Sequence, residues 1–517
     1  MGDTETATRP PRWRVLVPVL TAAVVIAAFS PALDVFLAGD DFEWLDASYD
    51  IVGDPLSSFE LINRFFRPLV KWTYLNDYLI FGQAAVGFMA TSLLIHFLNS
   101  FLLFLLLRRR LQQPLLAAAA AAAFALSPLH SEAVLWAAGR PETVLLACWL
   151  GSLLLLDRWV ERPTRSLAIA FTGVALLGIG AKESWVVFPF LASTYLVLVL
   201  RVPLPSALRR MTSVWAAWLV YIAAFLVVPA VSGAPSAAHY ADFQILPAIY
   251  KTSATLLAYC GLDGVPLEGW AAAALAAVVV AGTAMWLVRT GNAFGQWALV
   301  WLCTTLALVA PFQIAVLRHN YLPLAGFWMV VVAVADRTLA GAHGAATRSS
   351  RRLAKGLVAV AAVTLLVIEG GALQLEIADY RLYGDLHRRL CRSYTVIEPK
   401  IPRDRPLVLV DRGTFHGVEF VAGHVRGCDK TFFVRRDALW QLVFLPSLAN
   451  FMGHPFDERL ERVDMEEIHF VPGTVTVLLF EDAGFSLRPD LRDVVAEAID
   501  AAGDLSPGVT LYRFTAE

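Results

Sequence analysis

The chain has 517 residues, 57% hydrophobic and 17% charged, with a mean hydropathy of +0.60. Soluble proteins carry about 25% charged residues, so a soluble globular enzyme is excluded and a polytopic membrane protein is implied. The net charge of −2, without a long basic patch, gives no footing for nucleic acid.

A helix needs roughly 20 apolar residues to cross a bilayer. Runs of about this kind fall near 15–38, 84–107, 114–128, 141–157, 166–180, 184–200, 213–232, 270–288, 296–311, 319–336 and 356–373. They predict about eleven transmembrane helices, with the third and fifth short. The apolar part of the first exceeds the roughly 7–15 residues of a signal-peptide core, so it reads as an uncleaved anchor.

Arginines punctuate alternate connections. Arg9, Arg12 and Arg14 precede the first run, and Arg108, Arg109 and Arg110 follow the second. Later clusters are Arg158, Arg162 and Arg165; Arg201, Arg209 and Arg210; Arg289; and Arg337 to Lys355. All fall on one side, which the positive-inside rule makes cytoplasmic. The N-terminus is expected inside, and the chain beyond the eleventh run outside. Ala-rich helices and a bias to Arg over Lys suggest a bacterial cytoplasmic membrane.

This orientation exposes the segments 39–83, 129–140, 181–183, 233–269 and 312–318 on the outer side. Residues 1–373 form the expected membrane domain and 374–394 an amphipathic connector. Residues 395–517 read as a small extracytoplasmic α/β domain, with strand-like runs at 406–410, 475–480 and 508–512 and a helical pattern at 488–502. Five cysteines without a CxxC pair suggest neither a metal site nor a disulfide framework. Cys391 and Cys428 are one conceivable pair in an oxidising exterior, and Cys260 is a third outer candidate.

Charge within a membrane helix costs about 2.5–3.5 kcal/mol at its centre, so the polar residues at the outer ends of these runs carry the information. Asp40 and Asp41 close the first run in "FLAGDDFEW". Arg64, Arg67, Lys71 and Trp72 follow in a stretch that also suits a helix lying in the interface. "LSPLHSEAVLWAAGRPET" holds His130, Glu132, Arg140 and Glu142, which a solvated turn would equally explain. Lys182 and Glu183 are neighbours able to neutralise each other, and Arg318 is as good a membrane anchor as a phosphate ligand. His96 and Asn99 lie mid-span and read as interhelical hydrogen-bonders.

Brought together, these outer turns suit one reaction. A carboxylate accepts the proton of an attacking hydroxyl, and Arg and Lys stabilise an anionic leaving group. A phosphate on a long lipid would explain the membrane setting.

In order and spacing, "FRPL…LNDYLIFGQAAVGFMATSLLIHFLN", "LSPLHSEAVLWAAGRPE", "AKES" and "RHNYLPLAGF" resemble the membrane portion of the transmembrane-and-TPR O-mannosyltransferases, over roughly residues 12–335. More widely they are similar to protein O-mannosyltransferases of the GT-C fold class. The resemblance implies an inverting transferase using a polyprenyl-phosphate sugar, mannose-like, with a protein or glycan acceptor and neither cofactor nor metal. It implies that Asp41 or Asp40 is the base, Asp41 being favoured. Arg318 and Lys182, with Arg67 and Tyr321, become candidates for the donor phosphate and sugar. His130, Glu132, Arg140 and Glu183 become candidates for the sugar and acceptor region. The tail shows neither TPR nor MIR periodicity. A transporter, or a scaffold presenting the tail, are the competing readings.

Overall fold

The computed structural model describes residues 13–62, 65–232, 245–262, 269–310, 317–345, 348–397 and 400. It also describes the strand segments 407–411, 458–463, 476–481, 484–487 and 509–516. The chain is a helical, multi-pass membrane protein. Among the described residues five helices are long and apolar enough to cross a bilayer, and a sixth if one bent pair counts as a single span. Shorter apolar helices occupy 22–34, 165–180, 183–199, 212–225 and 293–309, where the remaining spans are expected.

The first run is not one continuous helix. Helix α1 (Trp13–Ala28) gives way to a 3-10 turn over Ser30–Asp34. Pro31 has no N–H to continue the ladder, and it disfavours helix in the residue before it. The chain then runs extended to Gly39, whose φ of 56° turns it into α2 (Asp40–Gly53). Pro68 opens α3 (Pro68–Phe81), where its missing N–H costs nothing. Helix α3 leaves Trp72, Leu79, Ile80 and Phe81 exposed, an edge suited to the membrane interface.

Helix α4 (Ala85–Arg110) is followed by α5 (Pro114–Leu126), which bends by 54° into a segment ending at Leu135. That segment is a 3-10 turn over Pro128–His130 followed by the short α6 (Ser131–Leu135). The stretch expected as an external turn at 129–140 is therefore short helical pieces, mostly buried against the bundle. At Gly139 a Cβ would lie 2.5 Å from the Glu132 carbonyl oxygen, so this close approach demands glycine.

Helices α7 (Arg140–Glu161), α8 (Arg165–Leu177), α9 (Phe188–Thr194) and α10 (Leu204–Arg210) follow. Then come α11 (Thr212–Ser232), α12 (Ile245–Tyr259), α13 (Gly269–Arg289), α14 (Ala293–Val309) and α15 (Tyr321–Ala345). Trp149, Trp185, Trp297 and Trp301 are fully buried between them, and the Trp149 and Trp301 rings meet edge-to-face at 5.1 Å. The expected connector at 374–394 is not a separate element. It continues the last span as α16 (Arg348–Ile397), about 75 Å long at 1.5 Å per residue.

The polar contacts of the bundle gather at its two ends. At one end Arg110 pairs with Asp157, Asp336 accepts from the N–H groups of Gln112 and Gln113, and Arg337 donates to the Thr290 carbonyl. At the other lie α2, α3 and the turns before α7, α9 and α15.

After α16, β1 (Leu407–Asp411), β2 (Glu458–Val463), β3 (Thr476–Glu481), β4 (Gly484–Leu487) and β5 (Val509–Ala516) form a sheet ordered β2-β5-β1-β3-β4. Strand β1 runs parallel to β3, with Leu409 opposite Leu478, and antiparallel to β5. Three strands match the expected runs, while β2 and β4 add to them. The helix expected at 488–502 lies outside the described residues, as do Arg9, Arg12, Arg64 and Cys428.

Candidate active site

The acid pair begins α2, where negative charge complements the helix dipole. Its two carboxylates have different surroundings. Asp41 is buried, 1% exposed. Its Oδ2 accepts from the Ala38 N–H at 2.9 Å, and its Oδ1 from the Ala138 N–H at 2.6 Å and the Tyr74 hydroxyl at 3.1 Å. Burial pushes its carboxyl up to about 7, against the pull of those three bonds. Asp40 is partly exposed. Among the described residues no side chain and no other residue's N–H donates to its carboxylate. Burial raises it too; Arg318 opposes the shift, Glu132 adds to it and Arg67 opposes it again.

Three ion pairs lie at this end, and groups of two of them, Arg318, Glu132 and Arg67, act on Asp40. Arg67, just before α3, forks onto Glu183 through Nε and Nη2, both at 2.9 Å, and lies 4.3 Å over the Phe65 ring. Lys182 donates to Glu142 in the first turn of α7. The adjacent Lys182 and Glu183 thus do not neutralise each other. Lys182 is extended (φ −164°, ψ 151°), and successive side chains in extended backbone point opposite ways. Burial holds the Lys182 ammonium below its usual value, opposed chiefly by Glu142. Arg318 donates to Glu132 from both its guanidinium and its backbone N–H, and lies 5.0 Å over Trp136. The Trp136 indole N–H in turn donates to the Ala38 carbonyl at 2.9 Å, linking the arginine's platform to the acid-pair turn.

Other expected site residues serve the packing. Arg140 is fully buried, pairs with Asp77 at 2.8 Å, donates to the Phe88 carbonyl at 2.9 Å and stacks over Tyr74 at 4.5 Å. His130 is buried, its Nε2 on the Phe124 carbonyl at 2.7 Å. Tyr321 is buried with its hydroxyl between His96 Nδ1 (2.8 Å) and Asn99 Nδ2 (3.0 Å). His96 and Asn99 thus bond between helices as the sequence suggests. Arg140, His130 and Tyr321 thus bond within the bundle. Lys71 is likewise buried, donating to the Ser57 carbonyl at 2.8 Å.

One residue joins the site that sequence reasoning passed over. The charges of Lys182, Arg318, Lys251 and Arg67 all act on His319, so Lys251 of α12 belongs to the same cationic surround. Asp77, also passed over, belongs to the packing as the counter-charge of Arg140. Its signal was present in "LNDYL", an acid on the helix that also carries Lys71. Among the described residues no group of His, Cys, Asp and Glu could hold a metal ion. Cys148, Cys260 and Cys303 are free.

The fold and this polar end belong to a helical, multi-pass membrane protein. Two solved structures, both of ArnT from Cupriavidus metallidurans, resemble the chain. The structure bound to undecaprenyl phosphate is 13% identical, covers 92% of this chain and 98% of its own, and has a TM-score of 0.50. The apo structure is 16% identical, covers 77% and 82%, and has a TM-score of 0.46. The shared fold rests on the first of these. No protein-family model and no curated protein matches the chain.

Proposed function

We propose that the chain is a membrane glycosyltransferase, moving a sugar from a polyprenyl-phosphate donor to an acceptor hydroxyl with inversion. The observation that carries this reading is Asp40, an acid without an outside hydrogen-bond donor among the described residues, under the opposed charges of Arg318, Glu132 and Arg67. A general base needs a lone pair open to the incoming hydroxyl. Asp41 has three incoming bonds and almost no exposure. We therefore assign the base to Asp40, and to Asp41 the holding of the turn that presents it.

In this mechanism the acceptor oxygen attacks the anomeric carbon and its proton passes to Asp40. The bond from that carbon to the phosphate oxygen breaks, and the lipid phosphate leaves with the electron pair. Attack opposite the leaving group inverts the centre. Arg318 meets the developing charge. One of its Nη groups is engaged by Glu132, and a guanidinium has five N–H donors, so others are open to a second anion. Lys182, Arg67 and Lys251 add positive potential behind it. The fold shared with a protein crystallised with undecaprenyl phosphate supports the donor class. A mannose-like sugar, a protein or glycan acceptor and a site on the outer face of a bacterial cytoplasmic membrane complete the proposal.

The test is transfer from radiolabelled polyprenyl-phosphate mannose by the purified full-length protein, with envelope extract as acceptor. Wild type transfers; Asp40→Asn binds donor but does not transfer. Failure of wild type with several donor sugars, together with undiminished cellular function of Asp40→Asn, sinks the proposal and favours a transporter.

A further inference from the structure

Helix α16 contributes more than a span. Its far half returns to the acid pair: Arg388 donates to the Asp34 carbonyl at 2.9 Å, Arg381 pairs with Asp34 at 3.2 Å, and the His387 ring stacks on Phe42. One helical turn apart on this half stand Glu376 and Tyr380. Glu376 Oε2 accepts from the Ser131 hydroxyl at 2.9 Å, beside Glu132. Tyr380 is 4% exposed, and its hydroxyl, buried, has no hydrogen-bond partner among the described residues. The charges of Glu132, Glu376 and Arg318 act on it.

A buried hydroxyl left unsatisfied costs about 1–3 kcal/mol, so its retention calls for a partner that arrives with the substrate. The charged groups acting on this phenol are the Glu376 carboxylate and the Glu132 carboxylate, the latter paired with Arg318, and the Ser131 hydroxyl sits on Glu376. Carboxylates repel a phosphate but accept hydrogen bonds from sugar hydroxyls, and the phenol supplies the complementary donor. We infer that Tyr380, with Glu376, reads the hydroxyls of the transferred sugar and thereby sets donor specificity. This rests on the transferase reading and assigns α16 a part in the site.

Binding measurements separate the two. Full-length wild type and Tyr380→Phe, in nanodiscs, are titrated with undecaprenyl phosphate and with its mannosyl, glucosyl and galactosyl esters; thermal stability is followed in parallel. Wild type is expected to bind at least one glycosyl lipid more tightly than the bare lipid. Tyr380→Phe is expected to lose about tenfold of that advantage, the worth of one hydrogen bond. Its affinity for the bare lipid should hold and its melting temperature should hold or rise, since only an unpaired hydroxyl is removed. Unchanged preference in Tyr380→Phe, or an equal loss for bare and glycosyl lipids, overturns the assignment. Wild type that binds no lipid of the set brings down the transferase reading and this inference with it. Glu376→Gln, which keeps the size of the side chain, should shift the same preference.

Discussion

The backbone N–H of Ala138 donates to Asp41 Oδ1 at 2.6 Å, joining two segments that lie 97 residues apart in the chain. Asp41 is thus the knot between the start of α2 and the turn before α7, while Asp40 beside it takes no comparable bond among the described residues. Removing an acceptor from buried donors costs about 1–3 kcal/mol. Asp41→Asn should therefore lose stability of that order, whereas Asp40→Asn should melt as wild type and lose transfer. Thermal unfolding and transfer assays on the two variants, run together, distinguish them; the opposite pattern would return the base to Asp41.

The elevated Asp41 carboxyl gives this stability a pH dependence. Its value of about 7 in the folded protein exceeds the unfolded value of about 3.9, so the folded state binds the proton more tightly. The stabilisation is complete below the unfolded value and is lost as pH rises through the folded one. Wild type should become less stable between about pH 5 and about pH 7, then level off. Asp41→Asn lacks this titration, so the gap between the two narrows as pH rises. Melting temperatures in detergent across that range provide the check.

Burial also places the Asp40 carboxyl above the ordinary aspartate range. As the base, Asp40 must be ionised, and activity should fall on the acid side with a limb above about 3.9. A pH–rate profile of kcat/KM measures it. An acid limb lying in the ordinary carboxylate range would remove the burial argument.

Arg318 and Arg140 should respond differently. Arg318→Lys keeps the charge but loses the planar fork and its seat over Trp136; transfer should drop by about 10²-fold, the scale of losing one donor to the leaving group. Arg140→Met leaves Asp77 buried without its counter-charge, which costs about 3–5 kcal/mol and should appear as poor folding. Folding yield by size-exclusion chromatography, beside transfer rate, separates the two effects. A well-folded but inactive Arg140→Met would restore arginine 140 to the site.

The sequence by itself determined the membrane class and the placement of the long apolar helices. Each follows from the local balance of apolar and charged residues, which neighbours in the chain decide. It also marked Asp40, Asp41, Lys182, Glu183 and Arg318, because charge beside apolar runs is costly unless it has a use. Only the tertiary structure decided which acid has an open carboxylate, and that Lys182 and Glu183 face different partners. It alone showed that Arg140, His130 and Tyr321 bond within the bundle, and that α16 returns to the acid pair. These are matters of distance between residues such as Arg67 and Glu183, 116 positions apart. Such pairings are set by how helices pack, and a hydropathy pattern carries no record of them.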